Sequence, residues 1–165
     1  MGDDLSLPER NSVRTPMQWS DAENAGFSTA APADLVRPVI RDGPFGYTRV
    51  NVESERWDPE SLLRWMEEAV RVRRDFGAFG RGAWRLHDTE DPAVFAHSCG
   101  ADGNAVLALH NLAPGKTEVV VDLGGLEASR LMPIFGADRR VDVEDGAVTV
   151  TLEGYGYHWY RVERD

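Results

Sequence analysis

At Ala83 the pattern of the chain changes, and that change limits the folds open to it. From there to the end, apolar and polar residues alternate in short runs: AWRLHD, AVFAHSC, NAVLALHNL, TEVVVDL, RLMPIF, AVTVTL and YGYHWYRV. A period of two sends alternate side chains to opposite faces of a strand, so each run can bury one face and wet the other. Turn-forming stretches separate the runs: TEDP, GADGN, APGK, LGG and EDGA. Short strands punctuated in this way predict an antiparallel β-sandwich over about residues 81–165. APGK and EDG read as hairpin turns.

The region before the switch is different. The first ~55 residues carry no long helical period and little alternation. Pro8, Pro16, Pro32, Pro38 and Pro44 interrupt them, together with Gly26, Gly43 and Gly46. The segment reads as extended loop, and a loop of that length inside a compact domain is usually functional. It also holds Met17, Trp19, Phe27, Phe45 and Tyr47, so it should pack on something. The stretch DPESLLRWMEEAVRVRRDFG then predicts one helix over about residues 59–75. Asp58 suits the N-cap and Pro59 the first turn, and Gly77 suits the stop. Leu62, Leu63, Trp65, Met66, Ala69, Val70 and Val72 recur on one face of it. Residues 1–80 are thus expected to form a loop-plus-helix part, and residues 81–165 a β-domain.

Composition excludes several function classes. The 165 residues are 42% hydrophobic and carry a net charge of −10, which suits a folded domain and opposes a phosphate-backbone partner such as nucleic acid. No run is long and apolar enough for a membrane span, and the acidic start MGDDLSLPER lacks a signal-peptide pattern. Cys99 is the one cysteine, so an internal disulfide and a cysteine zinc site are excluded, and a cytoplasmic location is expected. His87, His97, His110 and His158 lie on separate predicted strands without metal-ligand spacing, and are read as half-buried strand residues; no metal or cofactor is expected. RVRRDF (Arg71 to Phe76) places cations at a helix C-terminus, where the dipole favours them.

Specific motifs carry a resemblance. VRTPMQW followed by NAGFS resembles the segment after the last catalytic carboxylate in α-glucoside-acting members of glycoside hydrolase family 13, trehalose synthases and oligo-1,6-glucosidases among them. YTRVNVESERWDPESLLRWMEEAVRVRRDFGAFGRG is similar to the last barrel helix and its approach, most like the trehalose synthase branch. DPAVFAHS, NAVLALHNL and EGYGYHWYRV are similar to the C-terminal β-domain of the same enzymes. The likeness covers essentially the whole chain. It implies a C-terminal portion: a loop-plus-helix remnant of a (β/α)8 barrel and a β-sandwich domain. It departs from the family at PERNSVRTPMQW, where Glu9 precedes Arg10 and Asn11 follows it.

The resemblance also implies what each residue does. Retaining glycoside chemistry needs a close carboxylate pair, and no acidic residue here sits in a context like the family's catalytic strands. The expectation is a chain with no catalytic residues, inactive alone. In the parent enzyme, which would interconvert maltose and trehalose, Arg10 or Arg14 would hold the glucose, because a guanidinium donates paired hydrogen bonds. Gln18 and Trp19 would line the same site, or Met17 and Trp19 would simply anchor the loop. Expected partners are the α-glucoside, the missing barrel domain and, through exposed apolar surface, a second copy of the chain. The alternatives are the C-terminal part of an α-glucosidase or oligo-1,6-glucosidase, or a free-standing α-glucan-binding or interaction module. Tyr155, Tyr157, Trp159 and Tyr160 would serve that last role as a platform, or else pack as core.

Overall fold

The computed structural model describes Ser6, Pro8, Arg10 and residues 13–101 and 104–164. Glu9 and Asn11, where the opening motif departs from the family pattern, lie outside the described residues. The chain divides into two compact units, Met1–Glu68 and Ala69–Asp165.

Among the described residues, the second unit has eight strands: β1 (Trp84–His87), β2 (Val94–Ala101), β3 (Asn104–Asn111), β4 (Thr117–Asp122), β5 (Arg130–Phe135), β6 (Val141–Asp142), β7 (Ala147–Leu152) and β8 (Tyr157–Glu163). They form a six-stranded antiparallel sheet ordered β1-β2-β3-β8-β5-β6 and a two-stranded sheet of β4 and β7. Seven strands match the alternating runs of the sequence. β6 is the addition, two residues that pair with Arg130 and Leu131. Beyond them β5 is an edge strand, which is where Pro133, lacking a donor, is tolerated.

One apolar cluster joins the two sheets. Leu107, Leu109, Leu131, Tyr160 and Val162 of the large sheet bury against Val119, Val121, Val148, Val150 and Leu152 of the small one. This is the predicted sandwich. A polar clasp crosses it as well. His87 is buried, with Nδ1 2.8 Å from the Asp122 carbonyl and Nε2 2.8 Å from the Ser98 hydroxyl. The carbonyl can only accept, so Nδ1–H donates to it, while Nε2 pairs with the Ser98 hydroxyl.

Turn signals did not decide which sheet a strand joins. APGK is not a hairpin, because it links β3 and β4 and these belong to different sheets. EDG does close tightly: Glu144 and Ala147 exchange backbone bonds of 3.0 and 2.9 Å around Asp145 and Gly146, both at positive φ (50° and 77°).

The large sheet is covered on its outer face by a short helix, α3 (Ala78–Arg81), which packs on β2 and β3. Ala105 to Leu109 of β3 are therefore buried on both faces. Two glycines permit the approach: a Cβ on Gly82 would lie 2.2 Å from the Gly100 Cα, and Gly100 itself has φ +111°. Beside α3 lies a layer of rings. Trp159 packs on Phe79 and Phe135, each at 5.0 Å, and donates to His110 Nε2 (3.3 Å). His110 stacks on His97 with ring planes 8° apart. Tyr160 points the other way, into the core, as the alternation of β8 requires. Of the aromatic cluster read from the sequence only Tyr155, in a turn, is largely exposed.

Two other helices precede these elements: α1 (Val52–Trp57) and α2 (Leu62–Asp75), the latter running through the division between the units. The helix expected over about 59–75 therefore starts later, and for a local reason. Asp58 ends α1, its N–H donating to the Ser54 carbonyl, while its carboxylate turns the chain by accepting from Glu60 N–H. Ser61 is the residue that caps α2, with its hydroxyl accepting from Arg64 N–H at 3.2 Å. At the other end Gly77 has φ −58°, so it is no left-handed stop but a right-handed link into α3. Of the apolar face of α2, only Ala69 and Val72 are buried; Leu62, Met66 and Val70 are exposed.

Burial holds the imidazoles of His97, His110 and His158 below their ordinary value, and a neighbouring imidazole adds to this for the first two. His97 Nδ1 is buried without a hydrogen-bond partner, which fits a neutral ring. Such groups bind protons more readily in the unfolded chain, so their contribution to stability is complete above about pH 6.5 and is lost as pH falls through the depressed values. The urea midpoint of the β-domain should thus drop from about pH 7.5 to about pH 5, and His97→Phe should flatten that drop; an equal slope in both proteins would refute the assignment.

Candidate functional site

The RTPMQW stretch runs as an extended strap through the first unit, and its backbone holds other parts of that unit in place. The Gln18 and Trp19 carbonyls each accept at 3.0 Å, from the N–H groups of Val52 and Glu53, two donors that the first turn of α1 cannot satisfy itself. The Gln18 side-chain amide donates to the Phe45 and Val50 carbonyls. Asn51, buried, caps α1 through Ser54 N–H (2.9 Å) and donates to the Tyr47 carbonyl (2.9 Å).

NAGFS has an equally local role. Asn24, Ala25 and Gly26 all have left-handed backbone, with φ of 55°, 59° and 64°. For Ala25 this costs about 1–2 kcal/mol. Neighbouring contacts hold the turn. The Ala25 carbonyl accepts from Trp19 and Ser20 N–H (2.8 and 3.1 Å), and Asn24 Nδ2 donates to the Ser28 and Ala30 carbonyls (3.1 and 2.7 Å).

Three grooves open around this strap. The first, about 470 Å3, holds Arg14 together with Met17, Phe27, Asp34 and Arg37. Arg37 Nε also donates to the Arg14 carbonyl at 3.4 Å, which ties the two segments together. With two guanidinium groups, a carboxylate and a half-exposed Phe27 ring, this groove can bond hydroxyls in both directions and cover an apolar face. The second, about 480 Å3, is mostly apolar and includes Met17, Gln18, Leu62, Leu63 and Met66. The third lies along α1 and includes Trp19.

The four residues singled out from the sequence therefore do not converge. Arg14 lines the first groove, Gln18 the second and Trp19 the third, while Arg10 is exposed and lines none of the three. The residues that accompany Arg14 are Phe27, Asp34 and Arg37. Of these only Phe27 belongs to the recognised motif. Asp34 and Arg37 sit in a proline-rich loop with no pattern of their own.

Comparison with known proteins decides the family. Residues 3–82 match the model of the alpha amylase catalytic domain, and residues 103–161 that of the sucrose hydrolase-like C-terminal domain. The trehalose synthase of Pimelobacter sp. (strain R48) is 35% identical over 166 residues, 98% of this chain and 29% of that protein. The chain belongs to glycoside hydrolase family 13, the α-amylase family. Within the family it is trehalose synthase-like, with α-glucosidase relatives alongside: the oligo-1,6-glucosidase of Parageobacillus thermoglucosidasius is 27% identical over 104 residues, 63% of this chain and 17% of that protein. The fold is that of the solved trehalose-6-phosphate hydrolase of Bacillus licheniformis, with a TM-score of 0.70, 23% identity, and coverage of 97% of this chain and 27% of that one. The chain spans less than a third of the length of these relatives.

Among the described residues no three His, Cys, Asp or Glu side chains stand together as a metal site. Cys99 is buried, and burial pushes its thiol up, away from the nucleophilic thiolate. No described helix is long and apolar enough to cross a membrane.

The left-handed turn is the feature on which this family segment can be tested. A Cβ on Gly26 would fall 2.5 Å from Ser20 Oγ, at a φ that side chains rarely adopt. Gly26→Ala should destabilise the turn by roughly 1–3 kcal/mol. The readout is faster amide exchange at Trp19 and Ser20 with β3 unchanged; unaltered exchange at both would contradict it.

Proposed function

We propose that this chain is the C-terminal part of a trehalose synthase-like enzyme that acts on an α-glucoside, and that it performs no glycosidic chemistry alone. Residues 1–80 complete the catalytic barrel, and residues 81–165 form the β-domain that follows it. Arg14, with Phe27, Asp34 and Arg37, contributes one wall of a sugar site whose catalytic carboxylates come from residues outside this chain. Arg10 is the second arginine able to reach a sugar hydroxyl. Gln18 and Trp19 act mainly through the strap that positions Arg14. The partner is the remainder of the barrel. Cys99, buried and unpaired, suits a reducing cytoplasm.

One observation carries this reading. Among the described residues of the first unit, the buried apolar side chains are Ala25 and Tyr47, while Met17, Val36, Phe45, Leu62 and Met66, outside the α1 groove, are exposed. Apolar surface on that scale marks a face built to be covered. Residues 3–82 match a catalytic-domain model, and the chain spans 29% of the Pimelobacter trehalose synthase. An α-glucosidase-like parent is the second reading, favoured by the similarity to oligo-1,6-glucosidase.

Activity decides the matter. The purified chain, prepared free of host glucosidases and incubated with maltose or trehalose, should yield neither the other disaccharide nor glucose. Turnover proportional to the amount of this chain would overturn the proposal.

A further inference from the structure

The third groove has a character that the strap does not account for. It measures about 510 Å3 and is lined by Trp19, by Val52, Glu53, Arg56 and Trp57 of α1, and by Arg64. Trp19 is held at the start of the helix because its carbonyl accepts the Glu53 N–H at 3.0 Å. Glu53 and Trp57 are four residues apart and Glu53 and Arg56 three, so Glu53 neighbours both on the helix surface. A six-residue helix is about 9 Å long, so the backbones of Trp19, bonded at its start, and Trp57, its last residue, are separated on the scale of a short oligosaccharide rather than a single ring.

The wall beyond is already committed. Arg64 Nε donates to the Arg56 carbonyl at 2.9 Å, and Nη1 pairs with Glu67 at 2.8 Å. The remaining groups are not committed. The Glu53 and Arg56 side chains are exposed and make no hydrogen bond or ion pair with the described residues. Trp57 is 85% exposed and Trp19 50%. Truncating Trp57 therefore removes little that the fold uses.

The charges in this groove limit its ligand. One free carboxylate and one free guanidinium cancel, and Arg64 is balanced by Glu67, so neither a phosphate nor a cation is favoured. Two exposed indole planes suit flat apolar faces, and the carboxylate and guanidinium suit hydroxyls as acceptor and donor. A pyranose chain offers both surfaces at once. We propose that this groove binds a neutral oligosaccharide of pyranose rings, with Trp19 and Trp57 stacking on sugar rings and Glu53 and Arg56 bonding their hydroxyls. The inference rests on the groove's own walls and does not require the Arg14 groove to bind sugar.

The test is a titration of the 165-residue chain with maltotetraose, following the indole N–H resonances by NMR. Saturable shifts should appear at Trp19 and Trp57, and Trp57→Ala should weaken binding roughly tenfold or more, with its far-ultraviolet circular dichroism unchanged. Arg56→Ala should weaken it by a smaller factor. No saturable shift, as expected if these indoles instead pack beneath another protein segment, would overturn the inference, and so would wild-type affinity in Trp57→Ala. Binding lost in Arg14→Ala but kept in Trp57→Ala would place the sugar in the Arg14 groove, overturning this inference while leaving the proposed function intact.

Discussion

Side chains bonded to backbone, rather than buried apolar surface, hold the first unit in shape. Gln18 bridges the Phe45 and Val50 carbonyls, Asn24 bridges those of Ser28 and Ala30, and Asn51 caps α1 while bonding the Tyr47 carbonyl. Each of these bonds contributes about 1 kcal/mol net. That suffices to select a conformation, but not to offset the entropy of ordering some fifty residues, at about 1–2 kcal/mol each. A segment organised in this way has its geometry specified internally and must draw its stability from elsewhere. For the sugar-facing wall proposed for this segment the arrangement is coherent: the strap that carries Arg14 is shaped by its neighbours before any partner covers its apolar side.

The β-domain has the opposite balance. Its core is contiguous across both sheets, and the buried His87–Ser98 pair adds a bond from β1 and β2 to the carbonyl of Asp122 on β4. Its outer face is roofed by α3 over β2 and β3 and lined by the ring layer around Trp159. A domain with this much apolar burial can fold on its own account. Such independence suits a module that follows a catalytic barrel.

Much of the fold was legible because alternation and turn residues agree over most of residues 83–163. What escaped did so for identifiable reasons. β6 is two residues long, too short to show a period. α1 is six residues long, and Asp58-Pro59, a strong start signal, hid the fact that Asp58 first ends a helix. APGK shows that turn chemistry fixes local direction but not the sheet that the next strand joins. The site was less legible. RTPMQW identified the family and the strap, yet adjacent residues of an extended chain point to opposite sides, which separates Gln18 from Trp19, while Arg14 lies in a groove formed with Asp34 and Arg37. Asp34 and Arg37 reach the Arg14 groove only through the path of a loop, which no spacing in the sequence encodes.

One unit thus carries its own stability and the other does not. Amide hydrogen exchange on the isolated chain tests this most directly. Leu107 in β3 and Tyr160 in β8 should exchange only through global unfolding of the β-domain, whereas Trp19, Val52 and Glu53 should exchange by local opening at far lower free energy. Equal protection of the two groups would mean that the first unit is stable without a covering partner, which would contradict this division of stability.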